Sequence, residues 1–228
     1  MGTVLITGMG RGIGRELARV FLRRGDRVIG TVRDEGSISA EWSEFLASGQ
    51  LRMLVLDVRD ETAIRKAAAQ VNEPIDVLVN NAGIIGPQRQ STLDMDFEGF
   101  LDTLNVNTLG PLRIVHAFLP HLRRAKAAKI VTISSRMGSL SYAKSDRIAY
   151  RASKAAVNKV MQGLAEDLRP EGIVAISVHP GWVQTDMAGS GADISVEESA
   201  AGLATLIDRL TLRETGSFFD WRGERVPF

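Results

Sequence analysis

Short apolar segments alternate with segments of helical period along this chain. The apolar segments are nearly continuous and rich in β-branched residues, as in strands that are buried on both faces. They lie at positions 4–6, 27–32, 53–56, 75–79, 130–133 and 173–178. The segments between them favour helices over about 13–24, 60–71, 96–124 and 148–168. This repeated alternation predicts an α/β fold with a parallel, doubly wound sheet in one domain, 1–228.

The composition excludes several classes of function without pointing to one. The 228 residues carry a net charge of +1, so the sequence predicts neither a nucleic-acid surface nor a membrane surface. The chain has no cysteine, which excludes thiolate chemistry, and its three histidines lack metal-ligand spacing, so we predict no metal site. No apolar run reaches the ~20 residues of a membrane helix, and the N-terminus lacks a signal-peptide pattern. The expected location is cytoplasmic.

One pair of side chains combines a phenol with an ammonium group. Tyr150 and Lys154 lie four positions apart on the predicted helix 148–168, so both face the same side. A nearby ammonium stabilises a phenolate, and lowering a tyrosine pKa from about 10 by about 3 units takes about 4 kcal/mol. Such a tyrosine could exchange a proton with a carbonyl or alcohol oxygen near neutral pH. The same spacing also occurs on solvated helix faces, so the pair alone does not establish chemistry.

A glycine-rich turn follows the first predicted strand. It contains Gly8, Gly10, Gly12 and Gly14. Glycines let the backbone turn tightly and approach a phosphate, while the start of the next helix offers free N–H groups and a positive dipole end. The spacing differs from G-x-G-x-x-G, so the common dinucleotide fingerprint is not matched strictly. We interpret the turn as a dinucleotide site; a strand–helix turn without a ligand is the alternative.

Charged residues after the second strand bear on which dinucleotide is bound. A fold that prefers NAD usually carries a carboxylate there for the ribose diol, whereas an arginine suits the 2′-phosphate of NADP. Arg33 occupies this place, and Arg11 in the glycine-rich turn could reach the same phosphate. Asp34 follows and keeps some use of NAD possible. The sequence predicts NADP(H) in preference to NAD(H), with ordinary solvated arginines as the alternative.

These motifs occur with others in the order found in the short-chain dehydrogenase/reductase family, which the sequence resembles along nearly its whole length. The turn from Thr7 to Gly14 has the form Thr-Gly-x-x-x-Gly-x-Gly. The other motifs are Asp57-Val58, Asn80-Asn81-Ala82-Gly83, Val106-Asn107-Thr108, Ser134-Ser135, Tyr150 with Lys154, and Pro180-Gly181-Trp182-Val183-Gln184-Thr185. The resemblance implies a single doubly wound Rossmann domain, with a parallel sheet of about seven strands and helices on both faces.

Four stretches resemble one branch of this family most closely. They are 135–139, 150–154, 179–187 and 216–221. The branch is the C-factor-like one, which contains carbonyl reductases and, in one bacterial lineage, an intercellular signalling protein. The resemblance therefore implies an NADPH-dependent oxidoreductase that reduces a ketone or aldehyde to an alcohol. A signalling or regulatory protein that binds a dinucleotide with little turnover is the alternative, and a dehydratase or epimerase is a third reading.

The resemblance implies a catalytic tetrad of Asn107, Ser135, Tyr150 and Lys154. Ser135 would donate a hydrogen bond to the substrate oxygen, and Tyr150 would protonate it as hydride arrives from the nicotinamide. Two donors aimed at an oxygen that gains negative charge stabilise the transition state. Lys154 would hold the nicotinamide ribose and lower the tyrosine pKa. Asn107 would hold a water that links Lys154 to solvent.

The resemblance also implies the residues that border the cofactor. Asp57 would meet the adenine, and Thr185 would bind the nicotinamide carboxamide. The full predicted set is Gly8, Gly10, Arg11, Gly12, Ile13, Gly14, Arg33, Asp57, Val58, Asn81, Ala82, Gly83, Tyr150, Lys154, Pro180, Gly181, Val183 and Thr185.

Alternatives remain for several site residues. Asn107 has the alternative role of bridging helices, Ser135 that of ending a strand, and Ser134 is the alternative donor to the substrate. We reject Tyr142 as the acid because an aspartate, not a lysine, lies four positions after it. Ser135 and Tyr150 are 15 positions apart, slightly more than in many family members. The additional residues favour a loop beside the substrate.

The substrate and the assembly are less defined. The candidate pocket walls, which could equally be core residues, are Ile85, Met137, Trp182 and Met187. A short segment at 188–194, before a capping box of Ser195 and Glu198, predicts an open pocket and broad acceptance of small carbonyl compounds. Aromatic residues near the C-terminus favour an edge strand or a subunit interface. The family resemblance suggests a homodimer or homotetramer.

Overall fold

One sheet of seven parallel strands forms the centre of the structure, a computed structural model that describes residues 2–186 and 191–228. The strands are β1 (Thr3–Ile6), β2 (Arg27–Val32), β3 (Leu51–Val55), β4 (Val77–Asn80), β5 (Lys129–Ile133), β6 (Val174–His179) and β7 (Phe218–Asp220). Their order across the sheet is β3-β2-β1-β4-β5-β6-β7. Because the inner strands are covered on both faces, they show continuous apolar runs rather than alternation. The predicted fold class is confirmed.

Helices cover both faces of this sheet. They are α1 (Gly12–Arg23), α2 (Ser43–Ala47), α3 (Glu61–Ala69), α4 (Phe97–Leu104), α5 (Gly110–Leu122), α6 (Ile148–Leu168) and α7 (Val196–Arg209), with 3₁₀ turns at Glu35–Ser37, Ala40–Trp42, Arg136–Gly138 and Arg169–Glu171. One apolar layer packs α1 and α7 on the sheet through residues such as Leu17 and Leu203. The other packs α3, α5 and α6 through Ile64, Phe118 and Met161. The two layers make the sheet doubly wound.

The helix predicted over 96–124 is divided in the structure. A π-helical turn at Asn105–Leu109 separates α4 from α5. Pro111 explains the break, because it has no N–H to donate to the Asn107 carbonyl four residues earlier. The apolar period continues across the turn, so the sequence pattern did not reveal it. Single π turns often occur at functional sites, and this one carries Asn107.

The seventh strand uses the aromatic residues near the C-terminus. Phe218 pairs with Ser177 of β6, and both Phe218 and Phe219 are buried. The ring of Phe228 lies 5.8 Å from that of Phe218, measured between centroids. These residues therefore pack an edge strand, which is one of the two roles that the sequence left open.

The topology brings the candidate residues to one edge of the sheet. The strand order reverses at β1, which pairs with β2 on one side and with β4 on the other. In open α/β sheets, ligands bind beyond the carboxyl ends of the strands at such a switch point. The glycine-rich turn, Ser135 and the segment after β6 all lie beyond carboxyl ends. Among residues 2–186 and 191–228, no helix combines the length and apolar character needed to cross a membrane.

Candidate active site

The glycine-rich turn after β1 is fixed by residues at the end of β4. Thr7 Oγ1 accepts hydrogen bonds from the N–H groups of Asn81 and Ala82, at 3.0 and 3.1 Å. Asn81 Nδ2 donates to the carbonyls of Thr7 and Gly8, at 2.9 and 3.0 Å. A Cβ on Gly14 would lie only 2.5 Å from the Gly8 carbonyl oxygen, so α1 can start this close to the turn only with glycine there. Asn81 thus shapes the turn through its side chain.

The start of α1 is open to a negatively charged group. Its N-cap residue, Arg11, makes no side-chain capping bond, and its first turn contains no acidic residue. The first N–H groups of such a helix are left for a ligand or water, and its dipole favours an anion. The predicted residues from Gly8 to Gly14 therefore fit the pyrophosphate of a dinucleotide.

Arg11 forms an ion pair across the mouth of the cleft. Its Nη1 lies 2.8 Å from Asp186 Oδ2, and both side chains are about three-quarters exposed. The same segment approaches the glycine-rich turn at Thr185, whose Cγ2 would lie 3.4 Å from a Cβ on Gly12. An exposed pair of this kind contributes only about 0–1 kcal/mol. Arg11 can therefore leave Asp186 readily for a stronger anionic partner.

Arg33 and Asp57 lie close together beyond the carboxyl ends of the neighbouring strands β2 and β3. Hydrogen bonds from Arg59 are the main cause that holds the pKa of Asp57 below its ordinary value, and the charge of Arg33 adds to the shift. Arg59 Nη2 lies 2.7 Å from Asp57 Oδ2, and its Nη1 lies 3.0 Å from Asp102 Oδ1 on α4. Sequence reasoning missed Arg59. It orients the carboxylate that the family resemblance assigns to the adenine.

Residues later in the chain hold the segment after β6 in place. Ser199 Oγ on α7 donates a hydrogen bond of 2.6 Å to the Pro180 carbonyl. Gly181 has a φ of 92°, and a Cβ there would lie 3.0 Å from Trp221 Cδ1, so only glycine suits this position. These contacts place the predicted cofactor residues from Pro180 to Thr185 in a constrained turn at the carboxyl end of β6.

Asn107 joins three parts of the site. Its Oδ1 accepts from the Ile84 N–H at 2.9 Å, while its Nδ2 donates to the Ile84 carbonyl at 2.8 Å and to Ser153 Oγ at 3.0 Å. The Asn107 side chain therefore bridges its own π turn, the segment at Ile84 and α6. This matches the alternative role that the sequence left open for it. Asn107 and Lys154 both approach Gly83, where a Cβ would lie 3.1 Å from Asn107 Oδ1 and 3.7 Å from Lys154 Nζ.

Lys154 is buried beside Tyr150 and points toward the sheet. Its Nζ donates to the Ile133 carbonyl at 2.7 Å and lies 5.7 Å from the centroid of the Tyr150 ring. Burial lowers the pKa of Lys154 to about 8. A buried ammonium gives up its proton more readily than an exposed one. This property suits the predicted passage of protons between Lys154 and solvent.

The pKa of Tyr150 differs from the sequence-based prediction. The Tyr–Lys pair predicts a lowered pKa, but burial raises the pKa of Tyr150, against smaller opposing effects from a Ser135 hydrogen bond and the charge of Arg147. The lysine does not supply the predicted shift, because its ammonium is directed at the Ile133 carbonyl. Desolvation therefore dominates. A phenol with a raised pKa is protonated at neutral pH and can act as an acid.

Ser135, rather than Ser134, faces the phenol. The Ser135 hydroxyl interacts with Tyr150 and accepts the Met137 N–H at 3.1 Å. Ser134 is buried, and its hydroxyl lies 3.4 Å from the Lys154 carbonyl. Successive side chains of a strand point to opposite sides, which explains the different environments of the two serines. Asn107, Ser135, Tyr150 and Lys154 are thus brought together around the start of α6.

Gln90 holds the start of α6, and sequence reasoning missed it. The N-cap residue of α6 makes no side-chain capping bond. Instead, Gln90 Oε1 accepts the Tyr150 N–H at 3.1 Å, and the Gln90 carbonyl accepts the Ile148 N–H at 2.8 Å. Its Nε2 donates to the carbonyls of Ile85 and Pro87, at 3.1 and 2.6 Å. A cap supplied from 60 residues away leaves no local sequence signal.

We expect Gln90→Leu to lower kcat by about 10-fold to 10²-fold, because a misplacement near 1 Å at the reacting group can cost that much. The substitution leaves the buried Tyr150 N–H without its acceptor, at about 1–3 kcal/mol. Steady-state kinetics with a carbonyl substrate, together with NADPH titration, give the measurement. Gln88→Leu is the matched control, because Gln88 is exposed two positions away. Equal kcat values for the two variants would contradict a positioning role.

Three of the four predicted pocket walls lie among the described residues. Ile85 and Met137 are half-buried, and Trp182 is half exposed. Met187 lies outside the described residues, as does 188–190 of the predicted short segment. The described end of this segment, 191–194, lies back against the residues that precede it, because the Gln184 N–H donates a hydrogen bond of 3.0 Å to the Ile194 carbonyl. Residues 2–186 and 191–228 contain no cluster of histidine, aspartate or glutamate suited to a metal ion.

The glycine-rich turn and the Ser–Tyr–Lys arrangement are typical of a dinucleotide-dependent oxidoreductase. The chain belongs to the short chain dehydrogenase family, whose model matches residues 2–193. The C-signal of Myxococcus xanthus is 44% identical over 157 residues, which are 68% of this chain and 93% of that protein. A 1-hydroxy-2-glutathionyl-2-methyl-3-butene dehydrogenase of Rhodococcus sp. (strain AD45) is 33% identical over 226 residues, or 96% of each protein.

A solved structure extends this likeness to the whole fold. The NADPH-bound carbonyl reductase from chicken fatty liver superposes with a TM-score of 0.92 at 31% identity, covering 100% of this chain and 99% of the other. The family resemblance stated from the motifs is therefore confirmed. Together, the relatives and the fold establish a dehydrogenase/reductase role.

Proposed function

We propose that this protein is an NADPH-dependent carbonyl reductase, which reduces a ketone or aldehyde to an alcohol. The observation that carries the proposal is the arrangement at the start of α6, where the protonated Tyr150 phenol lies beside Ser135 and one turn before Lys154. A cofactor-binding module without turnover has no need for a half-buried phenol with a donor beside it. The NADPH in the chicken carbonyl reductase adds support for the cofactor.

Each residue of the tetrad has a distinct task in this proposal. NADPH, when bound, supplies the hydride. Tyr150 donates its proton to the substrate oxygen, while the Ser135 hydroxyl donates a hydrogen bond to the same oxygen and stabilises its developing charge. Lys154 would hold the ribose of the dinucleotide, and its buried ammonium would resupply the proton that Tyr150 gives up. Asn107 holds the neighbouring water and the Ile84 backbone in place.

The residues at the adenosine end favour NADPH over NADH. We expect Arg33→Ala to raise the Kd for NADPH by about 10-fold to 10²-fold and to leave the Kd for NADH nearly unchanged. A charge-assisted hydrogen bond to a phosphate contributes about 1.5–3 kcal/mol. Fluorescence titration with both dinucleotides checks this expectation. Arg27→Ala is the control, because Arg27 is also exposed but begins the same strand at its opposite end. Equal Kd values for NADPH and NADH in the unaltered protein would reject the preference.

Turnover assays test the function as a whole. NADPH consumption would be followed against aldehydes, ketones and quinones, with NADH in parallel. Reduction of at least one class, with alcohol as product, supports the proposal, and activity on several classes supports an open pocket. Tight NADPH binding without turnover on any class would favour the second candidate, a dinucleotide-binding signalling protein. The observation in its favour is the identity to the C-signal.

We also propose a homo-oligomer, either a dimer or a tetramer. Phe97 and Leu101 lie one turn apart on α4 and are 73% and 60% exposed, and Leu109 of the π turn is 44% exposed. Such a row of apolar side chains suits burial against a second copy. Sedimentation velocity would detect a monomer and thereby reject the proposal. A cytoplasmic location also remains a proposal.

A further inference from the structure

Two arginines stand beside the reacting groups without a carboxylate partner. Arg136 directly follows Ser135, and Arg147 lies three positions before Tyr150. Both are exposed, and neither forms an ion pair within the described part of the chain. The carboxylate nearest in sequence, that of Asp146, is already held by Arg151, whose Nη2 lies 2.8 Å from it. The two guanidinium groups are therefore available to a ligand.

Arg147 adopts a backbone conformation that needs an explanation. Its φ of 51° and ψ of 46° are left-handed, and no other non-glycine residue in 2–186 and 191–228 has a positive φ. Such a conformation is strained for a residue with a Cβ, and strain of this kind concentrates at ligand sites. It also makes Arg147 the N-cap of α6. N-cap and third helical residues are neighbours, so Arg147 is placed next to Tyr150.

The charges of both arginines act on two half-buried groups, Tyr150 and His179. Burial is the main cause of the raised pKa of Tyr150, and Arg147 opposes it. At the end of β6, burial lowers the pKa of His179 to about 4 with help from Arg136, and Asp220 opposes the shift. His179 is therefore neutral near pH 7, and Asp220 is itself paired with an arginine. Arg136 and Arg147 give the mouth of the site a positive charge.

Exposed apolar surface accompanies this charge. The Arg136 guanidinium carbon lies 5.6 Å from the centroid of the Tyr142 ring. In the same segment, Leu140 is 83% exposed, and Trp182 beyond β6 is 51% exposed. A charged face that contacts only solvent would not be expected to expose such large apolar side chains. The combination suits a ligand with an apolar body and an anionic end.

We propose that Arg136 and Arg147 bind an anionic oxygen group of the substrate, a carboxylate or phosphate, while its carbonyl oxygen meets Ser135 and Tyr150. The planar guanidinium groups match such oxygens through paired hydrogen bonds. The substrate class is therefore an apolar carbonyl compound with an acidic group. This inference rests on the proposed reductase function.

A matched pair of substrates tests the inference. The probes are 4-carboxybenzaldehyde and its methyl ester, which differ in charge at similar size. We expect kcat/KM to be about tenfold or more higher for the acid, since a charged hydrogen bond contributes about 1.5–3 kcal/mol. In the double variant Arg136→Gln/Arg147→Asn, the ratio should fall to about 1 by loss of rate with the acid. Asparagine is chosen because it tolerates the left-handed backbone.

The controls separate this inference from the proposed function. Arg213→Gln removes one positive charge from an exposed position in the turn before β7, at the other edge of the sheet, and should keep the full preference for the acid. Reduction of the ester without preference for the acid, or a preference that survives in the double variant, overturns the inference alone. Failure to reduce either aldehyde or any neutral carbonyl compound in the panel overturns the reductase function instead.

Discussion

Replacing Tyr150 with phenylalanine should lower kcat/KM for carbonyl reduction by about 10²-fold to 10⁴-fold, the usual contribution of a general acid. The change removes the phenolic proton donor that lies beside Ser135. The ring remains, so its packing against Lys154 is kept. We therefore expect the Kd for NADPH to stay within about a factor of a few, since binding of the dinucleotide depends mainly on other groups.

Steady-state rates and NADPH fluorescence titration on the same preparation provide the measurement for Tyr150→Phe. Thermal unfolding serves as the folding control, because the burial of the ring changes little. A variant that folds, binds NADPH and reduces substrate at the original rate would remove Tyr150 from the mechanism.

Ser134→Ala and Ser135→Ala show whether the donor to the substrate lies where the structure puts it. The account requires the larger loss in Ser135→Ala.

The second large effect is expected from Gly138→Ala. A Cβ on Gly138 would lie 2.6 Å from the Lys154 carbonyl carbon and 2.7 Å from Lys154 Cβ. Helix backbone cannot move aside cheaply, so the 3₁₀ turn and α6 must separate where Ser135 meets Tyr150. Overpacking of this kind costs about 1–3 kcal/mol of stability. A displacement of the tetrad near 1 Å should in addition lower kcat by about 10²-fold.

Gly163→Ala is the matched control for this prediction. Gly163 lies on the same helix, and a Cβ there would meet nothing within 4 Å. Alanine is about 1 kcal/mol better than glycine inside a helix, so this variant should be as stable as the unaltered protein or slightly more so, with full activity. Denaturant unfolding and kcat would be measured for both variants. Unchanged kcat in Gly138→Ala would mean that the tetrad does not depend on this contact.

The sequence predicted those parts of the molecule that have local patterns. Continuous apolar runs indicated the parallel sheet, and the motifs from Thr7 to Thr185 indicated both ends of the cleft. The π turn was missed, because the amphipathic period runs through it and only Pro111 marks the break. The strand at Phe218–Asp220 is three residues long, too short for a periodic signal.

The predictions that failed or were missing concern long-range contacts. The pKa of Tyr150 depends on how deeply the ring is buried and on where the Lys154 ammonium points, and neither follows from a spacing of four. Gln90 acts on Tyr150, which only folding brings near. Arg59 reaches Asp102 in the same way, although Asp57, the carboxylate that it orients, is two positions away. The same holds for Arg147, whose left-handed backbone is set by the tertiary structure around the start of α6.

Transfer of an isotopic label tests the central claim most directly. NADPH that carries deuterium at the transferred position would be incubated with the protein and a carbonyl compound that it consumes. The account predicts deuterium on the carbinol carbon of the product alcohol, in a one-to-one ratio with NADPH oxidised, and its loss with Tyr150→Phe. NADPH that binds while no carbonyl compound yields labelled alcohol would contradict the account.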